Sequence, residues 1–135
     1  MWVITMNIFK PLLVFSIFMA SVVSSHADLL GAEWIDEAEM KKQSNFARAN
    51  NLLLDSLRCK FREGVENPGR DDVEFRADFS IPPAPTPWGW TFEANAPNPG
   101  AEKQAKQAGF VVAYEDYYEI TGVTWVKCKV WHEAN

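Results

Sequence analysis

The stretch that decides the fold is Thr124-Trp-Val-Lys-Cys-Lys-Val-Trp-His132. Successive side chains of a β-strand point to opposite faces, and at that period this stretch divides into two unlike sets. We therefore predict a strand whose inner face carries Thr124, Val126, Cys128, Val130 and His132. The opposite, outer face carries Trp125, Lys127, Lys129 and Trp131, and its two lysines indicate that it turns towards solvent or a partner.

Residues 1–27 have the form of a secretory signal peptide. Lys10 is their lone charge, an uncharged run of 13 residues follows it, and the small residues Ser25 and Ala27 occupy the −3 and −1 positions of a cleavage site. A membrane-spanning helix needs about 20 apolar residues, so an uncleaved anchor is the less favoured alternative. We predict an exported protein, periplasmic or secreted, that meets the membrane only transiently through its signal peptide.

Residues 28–135 are predicted to form a single mature α+β domain. Loss of Lys10 with the leader leaves 12 cations against 18 acids, a net charge of −6. Nucleic-acid backbones attract clustered cations, so this acidic balance excludes a nucleic-acid partner. A hydrophobic fraction of 47% is typical of a globular chain, and a domain of this size can bury one hydrophobic core.

The two cysteines of the chain, Cys59 and Cys128, both lie in the mature domain. Export to an oxidising compartment lets a disulfide persist, so we predict a bridge between them. The bridge would close a loop of 69 residues, for which the chain-entropy relation gives about 4 kcal/mol of stabilisation. The alternative is two separate buried thiols.

Residues 33–63 show the apolar spacing of a helix. We predict one long amphipathic helix, or two with a break near Ser44-Asn45, ending at Gly64. Cys59 would then lie in its last turns, and the disulfide would tie the helix to the C-terminal strand. The apolar positions, at steps of three, four or seven, are Ile35, Ala38, Phe46, Ala49, Leu53, Leu57 and Phe61.

Two alternating segments follow the helical region. Residues 72–79 alternate polar and apolar for eight positions, which predicts a half-buried strand. The proline-rich residues 82–87 cannot supply the hydrogen-bond donors of a central strand and are expected to form an extended connector. In the next segment Trp88, Trp90 and Phe92 share one face, which is expected to pack under the helix.

The remaining segments complete the predicted fold. Residues 101–108 form a short helix that Gly109 stops, and residues 110–132 form two strands with a turn at Thr121-Gly122, or alternatively at Glu115-Asp116. The predicted architecture is therefore α+β, with a long N-terminal amphipathic helix packed on a small antiparallel sheet of about four strands and one disulfide.

Few groups in the mature chain suit catalysis, metal binding or a cofactor. Its single histidine, His132, lies three residues from the C-terminus, and no catalytic residue is assigned. Structural zinc requires close-set ligand pairs, whereas the two cysteines stand 69 positions apart. The acidic stretch at residues 67–74 lacks the spacing of a calcium loop and is expected to be a solvated turn. We expect no metal and no cofactor.

The aromatic residues carry the main functional signal. Tryptophan rings on a sheet surface can stack on sugars or receive the apolar side chains of a protein. We therefore predict a non-catalytic binding or interaction module, with a protein or glycan of the envelope or extracellular space as its partner. The predicted contact residues are Trp125, Lys127, Lys129 and Trp131.

Two other functions remain open from the sequence. One is a small periplasmic hydrolase or isomerase with an aromatic-lined pocket and Glu93, Glu115 or Asp116 as base, which requires a carboxylate buried in a cavity. The other is a structural component of the envelope that associates with itself.

Overall fold

The computed structural model describes residues 33–134, and the signal peptide predicted for residues 1–27 lies outside the described residues. The fold is α+β, with two antiparallel sheets and one disulfide. Within residues 33–134, no helix has the length and apolar character needed to cross a membrane. The elements are α1 (Glu37–Ala49), β1 (Leu53–Phe61), β2 (Val73–Ser80), β3 (Trp88–Ala94), α2 (Pro99–Gln107), β4 (Phe110–Thr121) and β5 (Thr124–Glu133).

The five strands form a pair and a triplet. β1 and β2 form one antiparallel sheet in which Cys59 lies opposite Phe75. The other sheet has the order β3-β5-β4, so the stretch that decides the fold is its central strand. Cys128 of β5 lies opposite Phe92 on one side and Asp116 on the other. The turn between β4 and β5 falls at residues 122–123, which confirms a reversal after Thr121.

The hydrophobic core lies between the two sheets. The β5 side chains of its inner face, Val126, Cys128 and Val130, are fully buried. They lie against β1, whose Cys59 is bonded to Cys128. The strand predicted at residues 72–79 is confirmed as β2, and the ring of its Phe75 packs edge-on against Trp90 at 5.2 Å and Phe92 at 4.9 Å. Edge-to-face contacts of this kind add to the free energy gained by burying the rings.

Helix α1 packs against this core and contributes Met40 and Ala47 to it. Asp36 caps its N-terminus by accepting a hydrogen bond from the Glu39 N–H at 2.8 Å. On its buried side the Ser44 hydroxyl donates to the Met40 carbonyl and accepts from the indole N–H of Trp90, at 2.8 Å in both cases. The predicted packing of the Trp88–Phe92 segment under the helix is therefore confirmed, with Trp90 half-buried.

The long helix predicted for residues 33–63 is wrong beyond residue 49. Asn51 adopts a left-handed backbone conformation, with a φ of 55°, and the chain then continues as β1. Residues four apart share one face in a helix and also in a regular strand, so the spacing of Leu57 and Phe61 fits both structures. Asparagine tolerates the left-handed region well, and Asn50-Asn51 is the sequence signal that marks the end of the helix.

The disulfide between Cys59 and Cys128 is confirmed, with 6.2 Å between the two Cα atoms. Because Cys59 lies on β1, the bridge joins strand to strand across the core instead of tying a helix to the sheet. Both cysteines are buried, with 2% and 0% of their surfaces exposed. Besides the backbone itself, the bridge is thus the one covalent cross-link between the two described sheets.

Removing this link is expected to destabilise the protein strongly. The paired Cys59→Ala and Cys128→Ala substitution should lower the free energy of unfolding in urea by about 4 kcal/mol, because the unfolded chain regains the entropy of an open loop. A reducing agent should weaken the wild type by a similar amount and leave the variant unchanged. A loss below about 1 kcal/mol would contradict the structural role of the bridge.

Candidate functional site

The outer face of β5 divides into a covered half and an open half. Helix α2 lies over the covered half, where Trp131 is only 2% exposed and its indole N–H donates to the Thr91 hydroxyl at 2.9 Å. Beside it the Lys129 ammonium pairs with Glu102 of α2, which leaves 15% of the Lys129 side chain exposed. The sequence predicts a face open along its length, whereas the structure places Trp131 and Lys129 beneath a helix.

The open half is organised around Trp125 and Tyr117. Their rings lie 6.2 Å apart with an interplanar angle of 31°. Lys127 lies 3.8 Å from a carboxylate oxygen of Glu115 and 6.0 Å from the centre of the Tyr117 ring. The Tyr117 hydroxyl donates to the carboxylate of Glu119 at 2.5 Å, and this hydrogen bond raises the pKa of Tyr117. Two aromatic rings and a flexible cation therefore face outward together.

Strand β4 bears an unusual concentration of exposed apolar side chains. Among the described residues, seven large hydrophobic side chains are exposed, and all except Ile81 lie on β4 or in its turn. Sequence reasoning missed this surface, although the signal was present, because apolar residues of β4 occupy both alternate sets of positions. The six residues are Val111, Val112, Tyr117, Tyr118, Ile120 and Val123.

β4 is also an edge strand with backbone groups that point away from the sheet. The carbonyl of Trp125 and the N–H of Glu133 bond to Asn95 and Pro87 on the β3 side. In an antiparallel sheet the backbone N–H and C=O groups of successive residues point alternately to the two neighbouring strands. The backbone groups of the odd-numbered residues of β5 therefore point to β3, and those of the even-numbered residues point to β4. The register then directs the N–H and C=O groups of Glu115, Tyr117 and Glu119 outward.

The carboxylates named for the enzyme hypothesis are engaged in local contacts. Glu93 accepts from the N–H of Asn98 at 2.5 Å, Glu115 pairs with Lys127, and Asp116 accepts from the N–H of Cys59 at 3.0 Å. None of the three lines any of three clefts found on the described surface. The requirement of that hypothesis, a carboxylate buried in a cavity, is not met in those clefts.

His132 has a clear structural contact. Its Nε2 lies 2.7 Å from the carbonyl oxygen of Leu54, and since a carbonyl can only accept, the Nε2–H donates. The ring therefore joins the central strand of the triplet to β1. This contact accounts for the histidine without a catalytic role.

One group of side chains has the proximity of metal ligands. The Sγ atoms of Cys59 and Cys128 and a carboxylate oxygen of Asp116 lie within 4.8 Å of one another. The sulfurs are joined in the disulfide, and metal ions bind cysteine as the free thiolate. The carboxylate is already bonded to a backbone N–H, so the cluster is part of the link between the sheets.

The two tryptophans of the outer face are expected to differ sharply in their effect on stability. Trp131→Ala should lower the free energy of unfolding by about 3–5 kcal/mol, because it empties a buried site and leaves the Thr91 hydroxyl without its donor. Trp125→Ala removes one half-exposed ring contact and should cost about 1 kcal/mol. Urea titrations of the two variants measure the difference, and equal losses would contradict the division of the face.

The contact between α2 and β5 should depend on pH. The hydrogen bond from Lys129 holds the pKa of Glu102 below its ordinary value. Its stabilisation is therefore present above the pKa of the unfolded chain and is lost as the pH falls through the lower, folded value. An NMR titration should place the Glu102 midpoint below that of an ordinary glutamate, and Lys129→Met should raise it. Lys103→Met on the same helix is the control and should leave the midpoint in place.

Comparison with protein-family models, with curated proteins and with solved structures finds no match to this chain. The exposed strand β4 and its neighbours are therefore the features from which a function can be inferred.

Proposed function

We propose that the protein is an exported, non-catalytic binding module that contacts a partner polypeptide through β4 and the open half of the outer face. The observation that supports this proposal most directly is the set of six exposed apolar side chains on β4 and its turn. Contiguous apolar surface on a folded protein is a usual mark of an interaction site. A strand edge beside it offers hydrogen bonds as well as apolar contact.

Strand addition is the binding mode that suits this surface. The outward N–H and C=O groups of Glu115, Tyr117 and Glu119 provide a row of main-chain donors and acceptors. An extended peptide that pairs with such an edge gains affinity from the backbone and specificity from alternate side chains. Tyr117 and Trp125 would receive the side chains of that peptide on the outer face, and Tyr118 those on the inner face.

The acidic residues of β4 indicate which charges the partner strand carries. Strand β4 contains Glu115, Asp116 and Glu119 and no lysine or arginine. Cross-strand pairs of opposite charge stabilise a sheet, whereas like charges placed opposite each other destabilise it. The partner strand is therefore expected to carry lysine or arginine between its apolar residues.

The same charges disfavour self-association through this edge. A symmetric antiparallel pair of two copies centred on Tyr117 would set the Glu115 position of one copy opposite the Glu119 position of the other. Irregularities at Ala113 and Ile120 also interrupt the regular register of β4 at both ends. Bulges and charges of this kind protect an edge against open-ended aggregation, so the free edge suits one short segment.

An exported location fits the covalent structure. Disulfides persist in oxidising compartments, and the Cys59–Cys128 bridge joins the two described sheets. We propose the periplasm or the extracellular fluid as the site of action, as the predicted signal peptide at residues 1–27 implies.

The proposal is tested by making the β4 surface polar without touching the core. The double variant Ile120→Ser and Val123→Ser should keep the stability of the wild type within about 1 kcal/mol, because both side chains are exposed. In affinity capture from the envelope and medium of the source cell, it should lose a polypeptide that the wild type retains. The control is Ile81→Ser, which alters the exposed hydrophobic residue outside the surface and should retain that polypeptide.

The backbone contribution is tested separately at Tyr117. Tyr117→Pro removes an N–H that points away from the sheet, so the fold can tolerate it at an edge while a partner strand loses a donor. Tyr117→Thr removes the ring but keeps the N–H, and should bind more tightly than the proline variant. Equal capture by the proline variant and the wild type would contradict strand addition. Retention of a glycan with no polypeptide would contradict the proposed class of partner.

A further inference from the structure

A cleft at the end of α1 has the composition of a small-ligand site. It has a volume of about 360 Å³ and lies between the end of the helix and the proline-rich connector. Ligand sites are mostly apolar clefts of this size with a few polar groups that fix orientation. The lining residues are Arg48, Asn51, Leu52, Pro85, Thr86, Pro87 and Trp88.

The apolar wall of the cleft is held rigidly. The indole N–H of Trp88 donates to the carbonyl of Leu52 at 2.8 Å, and the Leu52 N–H donates to the carbonyl of Ala47 at 2.9 Å. The carbonyl of Pro87 accepts from the N–H of Glu133 at the end of β5. Because the proline rings also fix the backbone of the connector, a ligand would meet a surface that is already formed.

Arg48 is the charged group of the cleft. Its guanidinium carbon lies 4.3 Å from the centre of the Trp88 ring. Glu37 and Lys41 lie further towards the start of α1 and pair with each other. In the described part of the chain no acidic oxygen lies within 4 Å of Arg48. Partial burial lowers the pKa of Arg48, although the side chain as a whole is exposed to solvent.

The last carbonyls of α1 are hydrogen-bonded within the turn that follows the helix. The partial negative charge of a helix C-terminus comes from its unbonded carbonyls. Here the carbonyls of Phe46, Ala47 and Arg48 accept hydrogen bonds from the N–H groups of Asn50, Asn51 and Leu52. The Asn51 side chain is exposed at the same turn and offers an amide as a second donor.

We propose that this cleft binds an organic carboxylate with a flat apolar body, the carboxylate on Arg48 and Asn51 and the body against the exposed Pro87 and the 6% of Trp88 that remains exposed beside it. A planar guanidinium matches a carboxylate with two parallel hydrogen bonds, and the indole beneath it keeps the fork in place. The proposal stands apart from the β4 surface, because the cleft contains no residue of β4. The ligand is either a free aromatic acid or the C-terminal carboxylate of a peptide.

Sodium benzoate and benzamide form a matched pair of probes, because they share a ring and differ in charge. In NMR titrations of the purified protein with its disulfide intact, benzoate should shift the Trp88 indole N–H signal and bind at least 10 times more tightly than benzamide. Arg48→Gln should weaken benzoate binding at least 10-fold, and Arg48→Lys should weaken it less. Lys41→Gln is the control on the same helix and should leave the affinity unchanged.

The result that overturns the proposal is equal affinity for the two probes, or benzoate binding that survives in Arg48→Gln. No shift of the Trp88 signal at 10 mM benzoate, a probe concentration chosen to detect binding on the order of 1 mM, also overturns it. A thermal melt of each variant shows whether it is folded, and Arg48→Lys keeps the test valid if the glutamine variant unfolds. N-acetylphenylalanine mimics the C-terminal residue of a peptide and therefore distinguishes the two kinds of ligand. Tighter binding than benzoate supports a peptide C-terminus, and weaker binding supports a free aromatic acid.

Discussion

The outer edge of β1 is the constraint on which the fold depends. In the described chain β1 pairs with β2 alone, and its other edge abuts the inner face of the three-stranded sheet. Backbone groups buried at such a junction need partners. Side chains of the triplet supply them, since Asp116 accepts from the Cys59 N–H and His132 donates to the Leu54 carbonyl. Polar side chains thus take the place of a sixth strand.

This arrangement explains why the groups that suggest chemistry in the sequence serve the structure. Asp116, His132 and the two cysteines come together at the same junction, each in contact with β1 or its partner sulfur. The Asp116 carboxylate points inward from the edge strand β4, where burying a charge costs free energy unless the charge is hydrogen-bonded. The Cys59 N–H donates that hydrogen bond. Among the described residues, both cysteines and the histidine therefore lie where the two sheets meet.

The sequence predicts the strands better than the helix boundaries, for reasons that particular residues show. Alternation over residues 72–79 and 124–132 has a single interpretation, and export together with two cysteines predicts the disulfide. The spacing of Leu57 and Phe61 is four, a multiple of the strand period and close to one helical turn, so it cannot distinguish the two structures.

Only the open half of the outer face of β5 could be predicted from the sequence. Lys127 and Trp125 lie on the open surface as their face predicts, but the burial of Trp131 depends on where α2 docks. That docking brings Glu102 to Lys129 across 27 positions of sequence, and no local periodicity encodes it. The exposed strand β4 shows the converse case, because its apolar residues resemble those of a buried strand until its place at the edge is known.

The two proposed sites lie at opposite edges of one sheet, and the central strand determines how they relate. Trp88 of β3 and Val111 of β4 both lie opposite His132 of β5, so the shortest path between the sites crosses a single strand. Coupling between sites requires an element with two arrangements that both ligands bias. β5 is paired along both sides, anchored by the disulfide at Cys128 and buried on its inner face, and these constraints favour one arrangement. A partner on β4 and a carboxylate beside Arg48 should therefore bind independently, with the sheet as a rigid spacer between them.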